Sequence, residues 1–287
     1  MDCQDGRGRA ATGGGCYPCL HPLESAPHVP TAVISDIHAN VSALKSVLAD
    51  IAARGIDRII CLGDTVGYGP DPLECVDLVR AKCAWCLMGN HDFAVLYEPT
   101  NFNAGAETAA YWTREQFDKE ADESLRAARY DFLGKLRVRV VDQTPELPFP
   151  VLAVHGSPRR PINEYIFPDD PQNSPDKLES IFDRVPNLCI VGHTHVPGVF
   201  TNEPDFYPPD ELGTDRCYRW QPGEKAVINV GSVGQPRDHD PRASYVILHA
   251  DRAEFVRLAY DIDATANKMR SIPQLPGWLI DRLYDGR

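Results

Sequence analysis

The chain has 287 residues, of which 43% are hydrophobic and 24% charged, so its composition is that of a folded globular protein of one or two domains. It carries 29 basic and 41 acidic residues, a net charge of −12 at pH 7, which disfavours bulk binding to nucleic acid or to an anionic membrane surface. No apolar run approaches the ~18–20 residues of a membrane-spanning helix, and we expect no secretory signal, so the sequence predicts a cytoplasmic protein.

The first part of the chain predicts alternating strands and helices. Residues 1–29 are rich in Gly and Pro and are expected to form a flexible leader. Three short apolar runs then predict buried strands, and apolar spacing with helix-capping residues predicts two helices between them. In chain order, these elements lie at 31–35 (strand), 41–54 (helix), 58–62 (strand), 72–82 (helix) and 83–88 (strand). This alternation is typical of βαβ units in a largely parallel sheet.

The rest of the chain predicts a cap, further strands and a C-terminal extension. Alanine and aromatic residues at helical spacing predict two helices over about 103–136, which form a cap beside the first half. Further strands, of which the last three have hairpin-like connections, are expected at 151–154, 188–191, 227–230, 244–248 and 254–258. The proline-rich stretch 201–223 is expected to be a long surface excursion. We therefore predict one domain over 30–260 and a helical extension over 261–287.

The nine cysteines are scattered along the chain rather than spaced as a disulfide framework. Two pairs, Cys16–Cys19 and Cys83–Cys86, have the C-x-x-C spacing of a zinc or redox site. The first pair lies in the leader, and the second lies in a predicted strand whose alternation places its two thiols on opposite faces. The sequence therefore favours structural thiols, with a metal or redox pair as the alternative.

Five of the predicted strands end at polar side chains that can ligate metals. These are, in chain order, Asp36 with His38, Asp64, Asn90 with His91, His155, and His193 with His195. Because ligands bind at the carboxyl ends of strands in open α/β sheets, we expect these groups to converge on one crevice. Carboxylate and imidazole donors suit Mn²⁺, Fe²⁺, Zn²⁺, Co²⁺ or Ni²⁺, and affinity alone does not choose among them.

These strand-end motifs resemble the metal-binding motifs of the calcineurin-like metallophosphoesterases. The resemblance covers about residues 31–258 and rests on Asp36-x-His38, Gly63-Asp64, Gly89-Asn90-His91-Asp92, His155 and Gly192-His193-Thr194-His195. It implies an α/β fold, a four-layer α/β/β/α sandwich of two mixed β-sheets flanked by helices. It also implies a centre of two divalent transition-metal ions between the loops.

The resemblance further implies a role for each motif. One metal ion would take Asp36, His38 and His195, the second would take Asn90, His155 and His193, and Asp64 would bridge both. Two ions about 3.5–4 Å apart would hold the ester oxygens and lower the pKa of a bridging water, whose hydroxide attacks the phosphorus. His91 matches the family's catalytic histidine and would protonate the departing alkoxide. Asn90 and His91 would also contact the substrate.

Four further side chains are candidates with competing interpretations. Asp92 is the nearest acid to His91 in the sequence, and it would either orient that ring or act as a local turn residue. Arg159 and the arginine after it would either bind a substrate phosphate or form an ordinary solvated pair. Arg237 ends a glycine-rich turn over 229–237, which would either shape the site or serve only as a turn.

Departures from better-known branches narrow the function. The Asp-Arg pair that follows the bridging Asp in eukaryotic-type serine/threonine phosphatases is missing, and Gly67 stands where purple acid phosphatases have a metal-ligating tyrosine. The pattern is closest to compact prokaryotic phosphoesterases. We therefore predict a metal-dependent phosphodiesterase or phosphatase acting on a small phosphate ester. The alternatives are a phosphoprotein phosphatase or dinucleoside polyphosphate hydrolase and, from another class, a non-catalytic scaffold, which the presence of His91 disfavours.

Overall fold

A computed structural model of the chain describes residues 30–143, 147, 149–221 and 223–287. The predicted leader and its Cys16–Cys19 pair lie outside these residues. The strands are β1 (Thr31–Ile34), β2 (Arg58–Cys61), β3 (Trp85–Cys86), β4 (Arg139–Asp142), β5 (Val151–Val154), β6 (Leu188–Val191), β7 (Gly198–Thr201), β8 (Asp205–Tyr207), β9 (Cys217–Arg219), β10 (Ala226–Asn229), β11 (Ala243–Leu248) and β12 (Arg252–Leu258).

These strands form two mixed sheets of six within the described residues. The first has the order β3-β2-β1-β11-β12-β9, in which β1, β2 and β3 run parallel and the remaining pairs are antiparallel. The second has the order β4-β5-β6-β10-β7-β8, in which β5, β6 and β10 run parallel. The parallel strands therefore lie at the centre of the second sheet and at one side of the first.

Helices connect and cover the strands. They are α1 (Val41–Ala53), α2 (Pro72–Lys82), α3 (Asn90–Leu96), α4 (Ala104–Asp118), α5 (Glu123–Gly134), α6 (Asp170–Asn173), α7 (Pro175–Phe182), α8 (Ile262–Arg270) and α9 (Gly277–Asp285). Asn40 caps α1, its side-chain oxygen accepting a hydrogen bond from the backbone N–H of Ala43 at 3.1 Å. Among the residues described, no helix is long and apolar enough to cross a bilayer.

Alternate residues of the central strands face different cores, which produces four layers. In β1, Ala32 and Ile34 belong to the apolar cluster that includes Leu44 of α1, whereas Val33 belongs to the cluster that contains Ile190 of the second sheet. The opposite face of the second sheet packs against α7 in a third cluster. The expected α/β/β/α sandwich of two mixed sheets flanked by helices is therefore confirmed.

Several local expectations need correction. The stretch 201–223 is not only a surface excursion, because β8 pairs with β7 and β9 pairs with β12 at the edges of the two sheets. The strand expected at 83–88 is reduced to the two residues of β3, followed by an isolated β-bridge at Leu87. The sequence reasoning also missed β4 and β7. Short strands of this kind form by pairing with a neighbouring strand, so their own local sequence does not predict them.

Cys83 and Cys86 are free thiols, and burial raises the pKa of both. A raised thiol pKa disfavours the thiolate that metal binding or redox exchange requires. No cysteine belongs to a candidate metal cluster in the part of the chain that the structure describes. These observations favour the structural interpretation of this pair.

Candidate active site

The loops after the parallel strands bring the predicted donors together. Three overlapping groups have ligand atoms within 4.8 Å of one another, namely Asp36–His38–His195, His38–Asp64–His91 and Asp64–His155–His193. All of these side chains are buried. Asn90 lies beside them, since its side-chain oxygen is 3.3 Å from Nε2 of His155. The whole ligand set proposed from the sequence therefore lies in one place.

Two aspartates stand between the histidines. Oδ1 of Asp36 lies 3.1 Å from Nε2 of His195, and Oδ2 of Asp64 lies 3.3 Å from Nε2 of His155 and 3.7 Å from Nε2 of His38. Burial alone would raise the pKa of both carboxyls, but the imidazoles hold both pKa values well below their usual range. In return, and against the effect of burial, the carboxylates raise the pKa of His155 to about 9.

Backbone carbonyls orient two of the histidine rings. Nδ1 of His155 lies 3.0 Å from the carbonyl oxygen of Leu62, and Nδ1 of His195 lies 2.6 Å from that of Gln235. Because a carbonyl oxygen can only accept, Nδ1 carries a proton in both rings. Nε2 is therefore the atom that each ring can offer to a metal ion.

Several of the converging ring nitrogens and carboxylate oxygens lie about as close together as hydrogen-bond partners. Nε2 of His195 lies 3.0 Å from Nε2 of His38, and Nε2 of His155 lies 3.2 Å from Nδ1 of His193. Oδ1 of Asp36 and Nε2 of His193 are buried and make no hydrogen bond. Acceptors this close repel one another unless a proton or a cation lies between them. The donor set therefore fits divalent metal ions.

The backbone of these loops is strained. Five of the proposed ligands take a left-handed conformation, with φ between 48° and 65°: Asp36, His38, Asp64, His193 and His195. A residue other than glycine in this region costs about 1–3 kcal/mol, so the surrounding contacts must hold it there. Strain of this kind concentrates at functional sites.

The ring of His91 lies in an aromatic pocket that the sequence reasoning did not identify. The centres of the Tyr68, Phe102 and His38 rings lie 4.3, 4.6 and 4.8 Å from that of His91. Burial lowers the pKa of His91 to about 4, and its Nδ1 makes no hydrogen bond. Gly67 passes so close that a Cβ there would overlap the imidazole. The available signal was the pair of glycines around Tyr68.

A second aromatic contact, also missed, lies on His193. The ring of Tyr165 stacks on this imidazole with the centres 3.8 Å apart, and Phe167 stacks on Tyr165 at 5.2 Å. Tyr165 and Phe167 are 38% and 45% exposed. They lie in an irregular stretch between β5 and α6, where no periodicity marks them.

The structure favours the turn interpretation of Asp92 over the orienting one. Its carboxylate accepts hydrogen bonds from the backbone N–H groups of Asp64, Thr65, Val66 and Gly89, at 2.8, 3.0, 3.3 and 3.0 Å. Burial and the charge of Asp64 raise the pKa of Asp92 to about 7, against these four donors. Because Asp92 is the third residue of α3, its side chain turns back toward the helix start and the neighbouring loop. It therefore holds the backbone of the Asp64 loop.

The two arginines proposed to bind substrate differ in their surroundings. The Arg159 guanidinium lies 3.0 Å from a carboxylate oxygen of Glu164, five residues later, so the structure gives it a local partner. Arg237 has no carboxylate partner among the described residues, and its guanidinium lies 5.8 Å from the centre of the Tyr68 ring. The structure therefore favours Arg237 over Arg159 as a residue of the site.

The glycine-rich turn over 229–237 holds the donor loops in place. The side chain of Asn229 donates to the carbonyl of Gly192 at 2.8 Å, and the hydroxyl of Ser232 donates to that of Asp36 at 2.7 Å. The carbonyl of Gln235 accepts the hydrogen bond of the His195 ring described above. This turn therefore shapes the site.

Comparisons with known proteins agree with this geometry. Residues 30–253 match the model of the calcineurin-like phosphoesterase superfamily domain. An uncharacterized protein of Methanocaldococcus jannaschii is 38% identical over 261 residues, which cover 89% of this chain and 98% of that protein. The crystal structure of a metallophosphoesterase from Sphaerobacter thermophilus is 37% identical with a TM-score of 0.73, covering 90% of this chain and 99% of that one. A hypothetical protein from Pyrococcus horikoshii OT3 is 18% identical with a TM-score of 0.65 over 90% of this chain and 98% of its own, and shares the fold.

Proposed function

Because the chain belongs to the calcineurin-like phosphoesterase superfamily, we propose that it is a metal-dependent hydrolase of a phosphodiester or phosphomonoester. The observation that carries the proposal is the position of Asp64. One oxygen of this buried carboxylate faces His38 in one donor group and His155 in the next. A carboxylate shared in this way suits two cations side by side.

The proposed ligands divide between two ions. Asp36, His38 and His195 would hold one, and Asn90, His155 and His193 would hold the other, with Asp64 bridging both. When bound, the two ions would supply positive charge that holds the ester oxygens and lowers the pKa of a water molecule. The donors suit Mn²⁺, Fe²⁺, Zn²⁺, Co²⁺ or Ni²⁺ equally in type.

His91 is the proposed general acid. Its ring is buried in the aromatic pocket beside the donors, and its backbone N–H donates to Oδ1 of Asp64 at 2.8 Å, which places it next to the centre. Burial favours the neutral ring and so lowers the pKa of His91. The negative charge of a bound phosphate ester would favour the protonated ring and so raise this pKa again. The ring would then hold the proton that it gives to the departing oxygen.

The proposed location of the protein is the cytoplasm. The proposed substrate is a small phosphate ester. Tyr165, which is 38% exposed, stacks on His193, so a ligand at the donor group would contact this ring. A phosphoprotein or a dinucleoside polyphosphate is an alternative substrate, and a substrate panel separates these classes.

The test is a phosphoesterase assay with Mn²⁺ and p-nitrophenyl phosphate or bis-p-nitrophenyl phosphate. His91→Ala is expected to lower kcat by ~10²–10⁴-fold while the bound metal per chain stays unchanged. His249→Ala is the matched control, since His249 pairs with Glu254 at 3.0 Å and belongs to none of the donor groups. Bound metal without turnover of either ester by the wild type would favour the scaffold instead.

A further inference from the structure

Two arginine side chains, Arg237 beside the donor group and Arg282 on α9, have no carboxylate partner among the described residues. Arg237 donates to the side-chain oxygen of Gln235 at 2.7 Å, and its Nε is buried without a hydrogen bond. The half-buried Arg282 has its guanidinium 4.5 Å from the centre of the Trp278 ring. The chain has 41 acidic residues, yet none of those described pairs with either arginine. Both guanidinium groups are therefore available to an external anion.

Arg237 is fixed next to the metal-binding loops. Its backbone N–H donates to the carbonyl of His195 at 3.2 Å. Its guanidinium faces Tyr68, whose ring in turn contacts His38 and His91. The positive charge therefore lies one aromatic ring away from the proposed general acid.

Arg282 lies on the C-terminal helix α9, which packs beside the Tyr68 loop. Leu279 and Leu283 on this helix pack in one apolar cluster with Tyr68. At the end of α9, the carbonyl of Gly286 accepts a hydrogen bond at 2.8 Å from the backbone N–H of His239, two residues after Arg237. The helix is therefore anchored both on the Tyr68 loop and on the segment that carries Arg237.

The charge of Arg237 acts on Arg282. Burial, followed by the like charge of Arg237, lowers the pKa of Arg282. Like charges brought together in a partly buried place are unfavourable unless an anion compensates them. Guanidinium groups suit this purpose because their planar donors match the oxygens of a phosphate in pairs.

We propose that Arg237 and Arg282 form an anion subsite that binds a second phosphoryl group of the substrate, beside the ester at the metal centre. This inference rests on the proposed function, because it assigns the second group to the substrate of that site. It names the substrate class as compounds with two neighbouring phosphoryl groups. A simple monoester would leave the subsite empty and bind less tightly.

The experiment measures affinity rather than turnover. Mn²⁺-saturated protein is titrated by calorimetry with inorganic phosphate and, separately, with methylenebisphosphonate, which is not hydrolysed. Arg282→Gln is expected to lower the affinity for the bisphosphonate by ~10–100-fold, the range of charge-assisted hydrogen bonds, and to leave that for phosphate within about twofold. Arg282→Lys keeps the charge and should restore part of the affinity. Arg287→Gln is the control, since Arg287 is exposed and pairs with Asp285.

Two outcomes would overturn the subsite. One is equal affinity of the wild type for both ligands, which needs no variant to fold. The other is an equal loss with Arg282→Gln and Arg287→Gln. If the wild type hydrolyses no ester but its preference for the bisphosphonate depends on Arg282, the proposed function fails and the anion subsite stands.

Discussion

Replacing Gly67 by alanine tests the placement of His91 without removing its imidazole. Gly67 has φ +89, and a Cβ there would lie 2.8 Å from Cγ and 3.0 Å from Cβ of His91. Carbon atoms in favourable contact are about 3.5–4.0 Å apart, so the ring must move by ~1 Å. Because a displacement of ~1 Å can lower a rate by ~10²-fold, we expect Gly67→Ala to reduce kcat by about that factor.

Gly55 supplies the matched control for this prediction. It also has a positive φ of +69, but an added Cβ would meet nothing within 4 Å. Both variants therefore carry the left-handed strain of about 1–2 kcal/mol, and only Gly67→Ala touches the active site. The assay compares kcat for p-nitrophenyl phosphate, with metal content and urea midpoints measured in parallel. Equal kcat values for the two variants would refute the role given to the His91 position.

Two other predictions concern the loops and the pH dependence of stability. Asp92→Asn should lower the free energy of unfolding by about 2–6 kcal/mol at pH 8, because one amide oxygen serves only two of the four N–H donors; loss of kcat with an unchanged urea midpoint would instead support an orienting role. In EDTA-treated protein, His155, with a pKa raised from 6.5 to about 9, stabilises the fold fully below pH 6.5 and loses this effect as pH rises through 9, by up to ~3 kcal/mol. Urea midpoints should therefore fall over this window, and His155→Asn should remove the fall.

Much of the fold could be predicted because its strands are short, buried and bounded by sharp turns. β1, β5 and β6 were identified within one residue, since each continuous apolar run ends at a polar residue or a glycine. The helix α2 was placed correctly from its proline and acidic first turn. The strands β4, β7 and β8 could not be found, because none of them contains an apolar run longer than two residues.

The candidate site shows the same division. Motif order and the strand-end rule were enough to gather the donors, because parallel strands deliver their ends to one edge. Contacts between distant segments could not be predicted: Tyr68 against His91, Tyr165 on His193, and α9 in one apolar cluster with Tyr68. For Asp92 the sequence left two interpretations open, because proximity in sequence does not establish proximity in space. The parallel register of β2 and β3 sets the Gly89 loop beside Asp64, and this arrangement lets Asp92 bind the Asp64 backbone.

The left-handed backbone at the donor residues lowers the stability of the fold, while it also positions the side chains of the candidate site. Glycine at position 38 or 195 would relax the local conformation but would also remove an imidazole from the donor group. Selection for stability alone would therefore replace the donor residues first and leave the two sheets unchanged. Histidine and aspartate at these left-handed turns are therefore explained by function and not by stability.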